Sequence, residues 1–145
     1  MDEIPIPSMG CHLLNRLPHR FFDLDGASAL EIDMVDEARG PGGSLHGGLI
    51  ATLIDVAGSY AIYADGRRPS SSTSLTVQYL SAARKGPVRA VASILRTAKS
   101  VGVAEVRVVD RGAQDRLVAT GSVMVTFLDG DSWRRPADPD ERAEP

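Results

Sequence analysis

Hydrophobic and polar positions in this chain follow two different rhythms, one on each side of a glycine-rich stretch. Ahead of it, Met9, Leu13, Leu14 and Leu17 fall at helical intervals within Ser8 to Arg20 and predict a short helix. From Arg20 to Val35 the pattern becomes strand-like, with Phe21-Phe22 and then Ala29 to Met34. Gly26 between the two runs suits the positive backbone angle of a tight turn. Asp36 to Ser44 reads as a loop centred on Gly40-Pro41-Gly42-Gly43. The longest helical segment follows at about Gly48 to Ala64. There Leu49, Ile50, Leu53, Ile54, Ala57 and Ala61 keep the i, i+3, i+4 spacing of one broad apolar face. Asp65-Gly66 and Arg67-Arg68-Pro69 supply its stop.

Beyond Pro69 the rhythm is that of strands. The predicted strands are Ser72 to Leu80, Val88 to Leu95, Val101 to Val109, and a last one in which Leu117, Ala119, Val123, Val125 and Phe127 alternate with Thr120, Ser122 and Thr126. Arg111-Gly112 marks a hairpin turn, and the charged, proline-bearing tail 129–145 is expected to be disordered. The expected division is an N-terminal extension with a short helix over 1–19, one domain over 20–128 and the tail. Local hairpins imply an antiparallel sheet, and a single apolar helix needs a surface to lie on. The fold class is therefore α+β, an antiparallel sheet around one central helix.

Composition narrows the function classes. At 145 residues there is room for one domain with a sizeable core, and a net charge of −3 argues against nucleic acid as the main partner. A single cysteine, Cys11, excludes an internal disulfide and fits a reducing compartment. The opening residues, with two acids and two prolines before Ser8, lack the apolar run of a signal peptide, and no stretch approaches the ~20 apolar residues of a membrane span. A cytoplasmic protein with no membrane partner is expected.

Candidate chemistry gathers in Leu45-His46-Gly47-Gly48 and the helix after it. The first N–H groups of a helix have no intrahelical partner and carry the positive end of its dipole, and two glycines let a substrate atom come close to them. Eight residues on, Asp55 shares a narrow polar stripe with Thr52 and Ser59. An acid on a helix wrapped by a sheet is costly to bury unless paired or put to use. Taken singly, Asp55 also suits a solvated face, the glycines a plain turn and His46 a structural hydrogen bond.

Together, His46-Gly47-Gly48, six residues and Asp55 resemble the signature of the PaaI-like hotdog-fold acyl-CoA thioesterases. Ser72 to Leu80, Gly86-Pro87-Val88 and Leu117 to Gly121 match later segments of that family, so the resemblance covers roughly 20–128. It implies a hotdog fold of five to six strands around a long helix, and hydrolysis of an acyl- or aryl-CoA thioester to free acid and CoA. By it, Asp55 is the nucleophile or general base, the Gly47 N–H polarises the carbonyl, and His46 supports the loop. Ser72, or Thr73 after a one-residue shift, orients water or the acid. Substrate contacts are expected from Gly48, Ser44, Ser59, Tyr79 and Arg84. No metal or cofactor is implied beyond the CoA thioester substrate. The site is implied to lie between two subunits of a homodimer, or of a homotetramer built from two such dimers.

One departure stands out. Many family members carry Asn or Gln about six residues before the His, and here that position is Gly40, so either another group, such as Ser44, does that work or the catalysis is weaker or different. The alternative function is a non-catalytic hotdog dimer that binds acyl-CoA or a lipid-like ligand. An enoyl-thioester hydratase would need a histidine soon after the acid, and none follows Asp55. Arg67, Arg68, Arg84, Lys85 and Lys99 suit either CoA phosphates or ordinary surface loops, and Tyr60, Tyr63 and Tyr79 suit either an aryl pocket or the core. The chain has no phosphate-loop, Gly-x-Ser-x-Gly or metal-ligand spacing.

Overall fold

A computed structural model describes residues 13–127 of the chain. Six strands and one long helix make up the fold. They are β1 (His19–Leu24), β2 (Ala27–Ile32), α1 (Gly47–Ala64), β3 (Pro69–Tyr79), β4 (Val88–Thr97), β5 (Val101–Asp110) and β6 (Arg116–Phe127). All pairings are antiparallel, in the order β1-β2-β4-β5-β6-β3, and the sheet lies against α1. This is the hotdog architecture that the sequence suggested.

The predicted helical face of α1 is buried residue for residue, and Gly58 and Ile62 widen it. Gly58 marks the closest approach of helix to sheet. A β-carbon there would overlap Val123 Cγ1 and stand 3.4 Å from Ala104 Cβ. Leu53, Ile54, Val106, Val108, Val118, Ala119 and Val123 are fully covered and form the centre of the core. In β5, Ala104, Val106 and Val108 point to the helix while Glu105 and Arg107 point away, as the alternation predicted. On the outer face of the sheet the nearly buried Glu31 accepts hydrogen bonds from Arg20 (3.0 Å) and Arg89 (2.7 Å), which offsets the cost of covering its charge.

Several expectations need correction. The helix over Ser8 to Arg20 is reduced, within the described residues, to a 3-10 turn at Leu13–Arg16, and the chain is already in β1 at His19. Pro18 explains the stop, since it lacks an N–H and restricts its predecessor to extended conformations. Cys11 and the tail 129–145 lie outside the described residues. The last four strands do not form a simple succession of hairpins. Instead β3 crosses to the far edge and pairs with β6, while β4 lies between β2 and β5. Alternation shows that a segment is a strand but not which neighbour it takes. Finally, α1 is long and apolar enough by length and composition to cross a membrane, contrary to the reading of the sequence. Its most apolar side is spent on the sheet, with eight of 18 residues buried.

Candidate active site at the mouth and middle of the central helix

The loop before α1 is tied down on both sides. The Gly40 N–H donates to Ser44 O (2.8 Å), the Leu45 N–H to Ala83 O (2.8 Å) and the His46 N–H to Ala38 O (2.9 Å). Arg39 Nη1 donates to Gly43 O at 2.7 Å and to Arg84 O at 3.2 Å. Arg84 Nη1 in turn donates to Gly42 O at 2.9 Å. These bonds replace, for a glycine-rich segment, the order that side-chain packing would otherwise give it.

His46 caps the helix that follows. Its Nδ1 accepts from the Gly48 N–H at 3.0 Å, and its carbonyl accepts from the Leu49 and Ile50 N–H groups. Nδ1 as acceptor places the ring proton on Nε2. A β-carbon at Gly48 would lie 3.1 Å from that Nδ1, so glycine lets the cap close. The consequence separates the two glycines. The Gly48 N–H is consumed by the cap, whereas that of Gly47 has no acceptor among the described residues. Tyr79 Oη donates to Gly47 O at 2.8 Å, and the Tyr79 ring lies 3.5 Å from where a Gly47 β-carbon would be. The bare N–H is thus flanked by an exposed aromatic ring at the end of β3.

Asp55 sits half-buried in the middle of α1, on the side turned to β3. Ser72 Oγ donates to Asp55 Oδ1 at 2.5 Å. The pairing of β3 with β6 slips between Ser72 and Ser74, and this irregularity accompanies the turn of Ser72 toward the helix. Thr73 does not join it, since its hydroxyl points to Met124 O at 3.4 Å. Of the two hydroxyls weighed on sequence, Ser72 is the one against the acid. Thr52 Oγ1 returns to Gly48 O (2.9 Å), and Ser59 lies one turn beyond Asp55 without a hydrogen-bond partner among the described residues. Ser44 is half-buried in the loop and contributes its carbonyl to Gly40. Gly40 lies beside His46, where a β-carbon would be 3.6 Å from the His46 Cα, so the position at which the resemblance calls for an amide lies next to the site itself.

The tyrosines divide. Tyr79 is at the site, while Tyr60 packs edge-on against Phe21 at 4.8 Å, with burial pushing its hydroxyl pKa up, and belongs with the core. Arg67 is at the other end of α1, over the Phe127 ring at 3.9 Å and bonded to the Ala98 and Lys99 carbonyls. Sequence reasoning missed Asp110. Fully buried at the end of β5, it accepts from the N–H groups of Arg84 (2.9 Å), Lys85 (3.1 Å) and Gly86 (2.8 Å). Burial pushes this carboxyl up, but those three donors, with Arg116 nearby, outweigh it and hold the group below the usual carboxylate range. The only sequence signal was an acid closing a run of valines.

One distance governs the chemistry. Gly47 and Asp55 are eight residues apart on one helix, about 12 Å along the axis and about 80° around it. A reacting carbonyl needs its oxygen about 3 Å from the N–H and its carbon about 3–3.5 Å from the attacking group. One helix cannot offer both to the same carbonyl.

A six-stranded antiparallel sheet around a single long helix is the hotdog fold. The pattern described as the thioesterase superfamily matches residues 42–119, and the chain belongs to that superfamily. A candidate esterase of Halobacterium salinarum is 41% identical over 92 residues, which is 59% of this chain and 60% of that protein's length. The PaaI protein of Escherichia coli, from the phenylacetic acid degradation operon, superposes with a TM-score of 0.72 at 22% identity, over 81% of this chain and 84% of its own. A Bacillus halodurans protein solved with CoA gives a TM-score of 0.62 at 28% identity, covering 69% of this chain and 66% of its own.

Proposed function

We propose that the chain hydrolyses acyl- or aryl-CoA thioesters to free acid and CoA, in a homodimer whose two sites each combine Gly47 of one subunit with Asp55 of the other. The observation that carries this reading is the pair of half-sites on α1. A bare N–H and a hydroxyl-anchored carboxylate lie about 12 Å apart, too far to serve one carbonyl within a chain and both beside the strand at the sheet edge. Membership of the thioesterase superfamily supports the reaction class, and the Bacillus halodurans protein with its CoA supports the ligand class.

β3 is 11 residues long, almost wholly exposed, and has one side of its backbone unpaired. Such an edge is a template for another strand, and Leu75, Tyr79 and Leu80 add exposed apolar surface along it. A second copy pairing antiparallel through β3, centred between Leu75 and Thr76, sets Tyr79 of each subunit opposite Ser72 of the other. Tyr79 holds Gly47 and Ser72 holds Asp55, so this register brings the two half-sites together twice, by symmetry.

In each composite site the Gly47 N–H polarises the thioester oxygen. A donor of this kind is worth about 3–4 kcal/mol of barrier in acyl transfer. The Ser72 hydroxyl fixes Oδ1 of Asp55 and leaves Oδ2 for attack on the acyl carbon or for taking a proton from water. Either route adds water across the C–S bond and releases thiol and acid.

Gly40 beside His46 favours a second reading, in which the dimer binds acyl-CoA without turning it over. One panel separates the two. Free thiol release from aliphatic and aryl CoA esters is expected of the wild type, and saturable binding of those esters without thiol release supports the second reading.

A further inference from the structure

We propose that the cleft between the 84–86 turn and the β5–β6 connection is the seat of the phosphate groups at the nucleotide end of the CoA thioester. The inference rests on the thioesterase reading for the identity of its ligand and on the cleft alone for its chemistry.

The cleft is open, with a volume of about 600 Å³, and is lined by Arg84, Lys85, Gly112, Ala113, Gln114 and Arg116. Three cations and no acid face it, in a chain whose net charge is −3. The nearby acids are already engaged. Asp110 lies beneath the turn and is spent on three backbone N–H groups, and Asp115 pairs with Arg111 at 2.8 Å. Both arginines donate to neutral carbonyls, Arg84 to Gly42 O and Arg116 to Ala82 O (2.8 Å), so each is oriented without a direct ion pair, although the charge of Asp110 lies near Arg116. The Lys85 ammonium has no partner among the described residues. Charges arranged in this way attract a multiply charged anion.

Two features mark the cleft as built. Gln114 and Asp115 both hold positive backbone angles (φ 58° and 54°), uncommon for residues with side chains. A β-carbon at Gly112 would overlap Gly86 O, so only glycine lets the connection close against the turn.

Its position suits one end of a long substrate. Arg84 is five residues beyond Tyr79 and bonds a loop carbonyl five residues before Gly47, which limits its Cα to about 18 Å from that of Tyr79. Arg67, Arg68 and Lys99 lie toward the other end of α1, which is about 27 Å long, and Arg67 is already committed to Phe127 and two carbonyls. Of the cations considered on sequence, Arg84 and Lys85 line this cleft, and Arg116 joins them. The ligand chemistry that fits is a 3′-phosphorylated adenosine diphosphate, which carries three phosphate groups.

The test has a binding arm and a kinetic arm, with Lys85 chosen because its ammonium holds no other group among the described residues. By calorimetry, adenosine 3′,5′-bisphosphate is expected to bind the wild type and to bind Lys85→Ala about tenfold more weakly. Lys85→Glu weakens binding further, Lys85→Arg restores it, and inorganic phosphate at equal concentration does not displace the nucleotide. In kinetics, the ratio of kcat/KM for an acyl-CoA to that for the matching acyl-pantetheine falls by the same factor in Lys85→Ala. Nucleotide binding that ignores all three substitutions, or that inorganic phosphate abolishes, overturns the proposal even if thioesters are hydrolysed. Binding that follows Lys85 in a protein without turnover upholds the cleft and removes only the reaction.

Discussion

Replacing Asp110 by Asn tests how much of the site's framework hangs on one buried carboxylate. Two of its hydrogen bonds reach Oδ2 and one reaches Oδ1. An asparagine keeps one acceptor oxygen and presents an NH2 in place of the other. With the oxygen placed to serve Arg84 and Lys85, the Gly86 N–H loses its acceptor and faces another donor. An orphaned buried donor costs about 1–3 kcal/mol, and the two surviving bonds drop from charge-assisted to neutral strength, about 1 kcal/mol more between them. Relief of the buried charge opposes this, but the lowered pKa says that the N–H groups outweigh burial. The net expectation is a loss of about 3 kcal/mol, which for a domain of this size lowers Tm by roughly 10 °C.

The pH dependence of that loss has a fixed sign. The folded pKa is below the ordinary value of 3.8, so the carboxylate's contribution is full above that value and fades as pH falls through the folded one. Urea unfolding of wild type and Asp110→Asn should show a constant gap near neutrality that narrows toward pH 3. Equal stability at neutral pH, or a gap that widens in acid, would refute the reasoning. Because the 84–86 turn also holds Gly42 O and Leu45 through Arg84 and Ala83, thioester turnover in Asp110→Asn is expected to fall more than residual folding accounts for.

Other substitutions address separate contacts. Ser72→Ala removes the donor to Asp55 and is expected to lower kcat/KM about tenfold with an unchanged melt. Thr73→Ala, beside it, should change the rate little, and steady-state thiol release decides between them. Gly58→Ala sets a helix-propensity gain of up to ~1 kcal/mol against overpacking on Val123 of about 1–3 kcal/mol, so Tm should fall. A rise would mean that the helix does not approach the sheet as closely as described.

How much of this was legible beforehand follows from what each pattern encodes. The apolar face of α1 and the alternation in β5 were readable because burial on one side imposes a period, and both agree with the structure in detail. The place of β3 at the sheet edge was not, because the Ser72 to Leu80 run looks like a strand with two neighbours and only tertiary pairing shows that it has one. The helix mouth was legible as glycines before an apolar run. That His46 takes the Gly48 N–H and leaves that of Gly47 bare required coordinates, since it turns on one ring nitrogen. Asp55 stood out as an acid in an apolar helix, while its hydroxyl partner depended on the register slip between Ser72 and Ser74. Asp110 and Arg116 gave no usable signal, because residues distant in sequence meet only once the β3–β4 and β5–β6 connections pack together.

The central claim, that each site borrows its two halves from different subunits, is tested most directly by complementation. Asp55→Asn removes the carboxylate's chemistry, and Gly47→Pro removes the bare N–H at a first-turn position where proline is well tolerated. Each variant alone should be inactive. A heterodimer isolated with one subunit of each kind contains one site with both defects and one with neither, so it is expected to recover the thiol-release rate of one of the two wild-type sites. A heterodimer as inactive as its parents would contradict the account, because it would mean that Gly47 and Asp55 serve the same carbonyl from within a single chain.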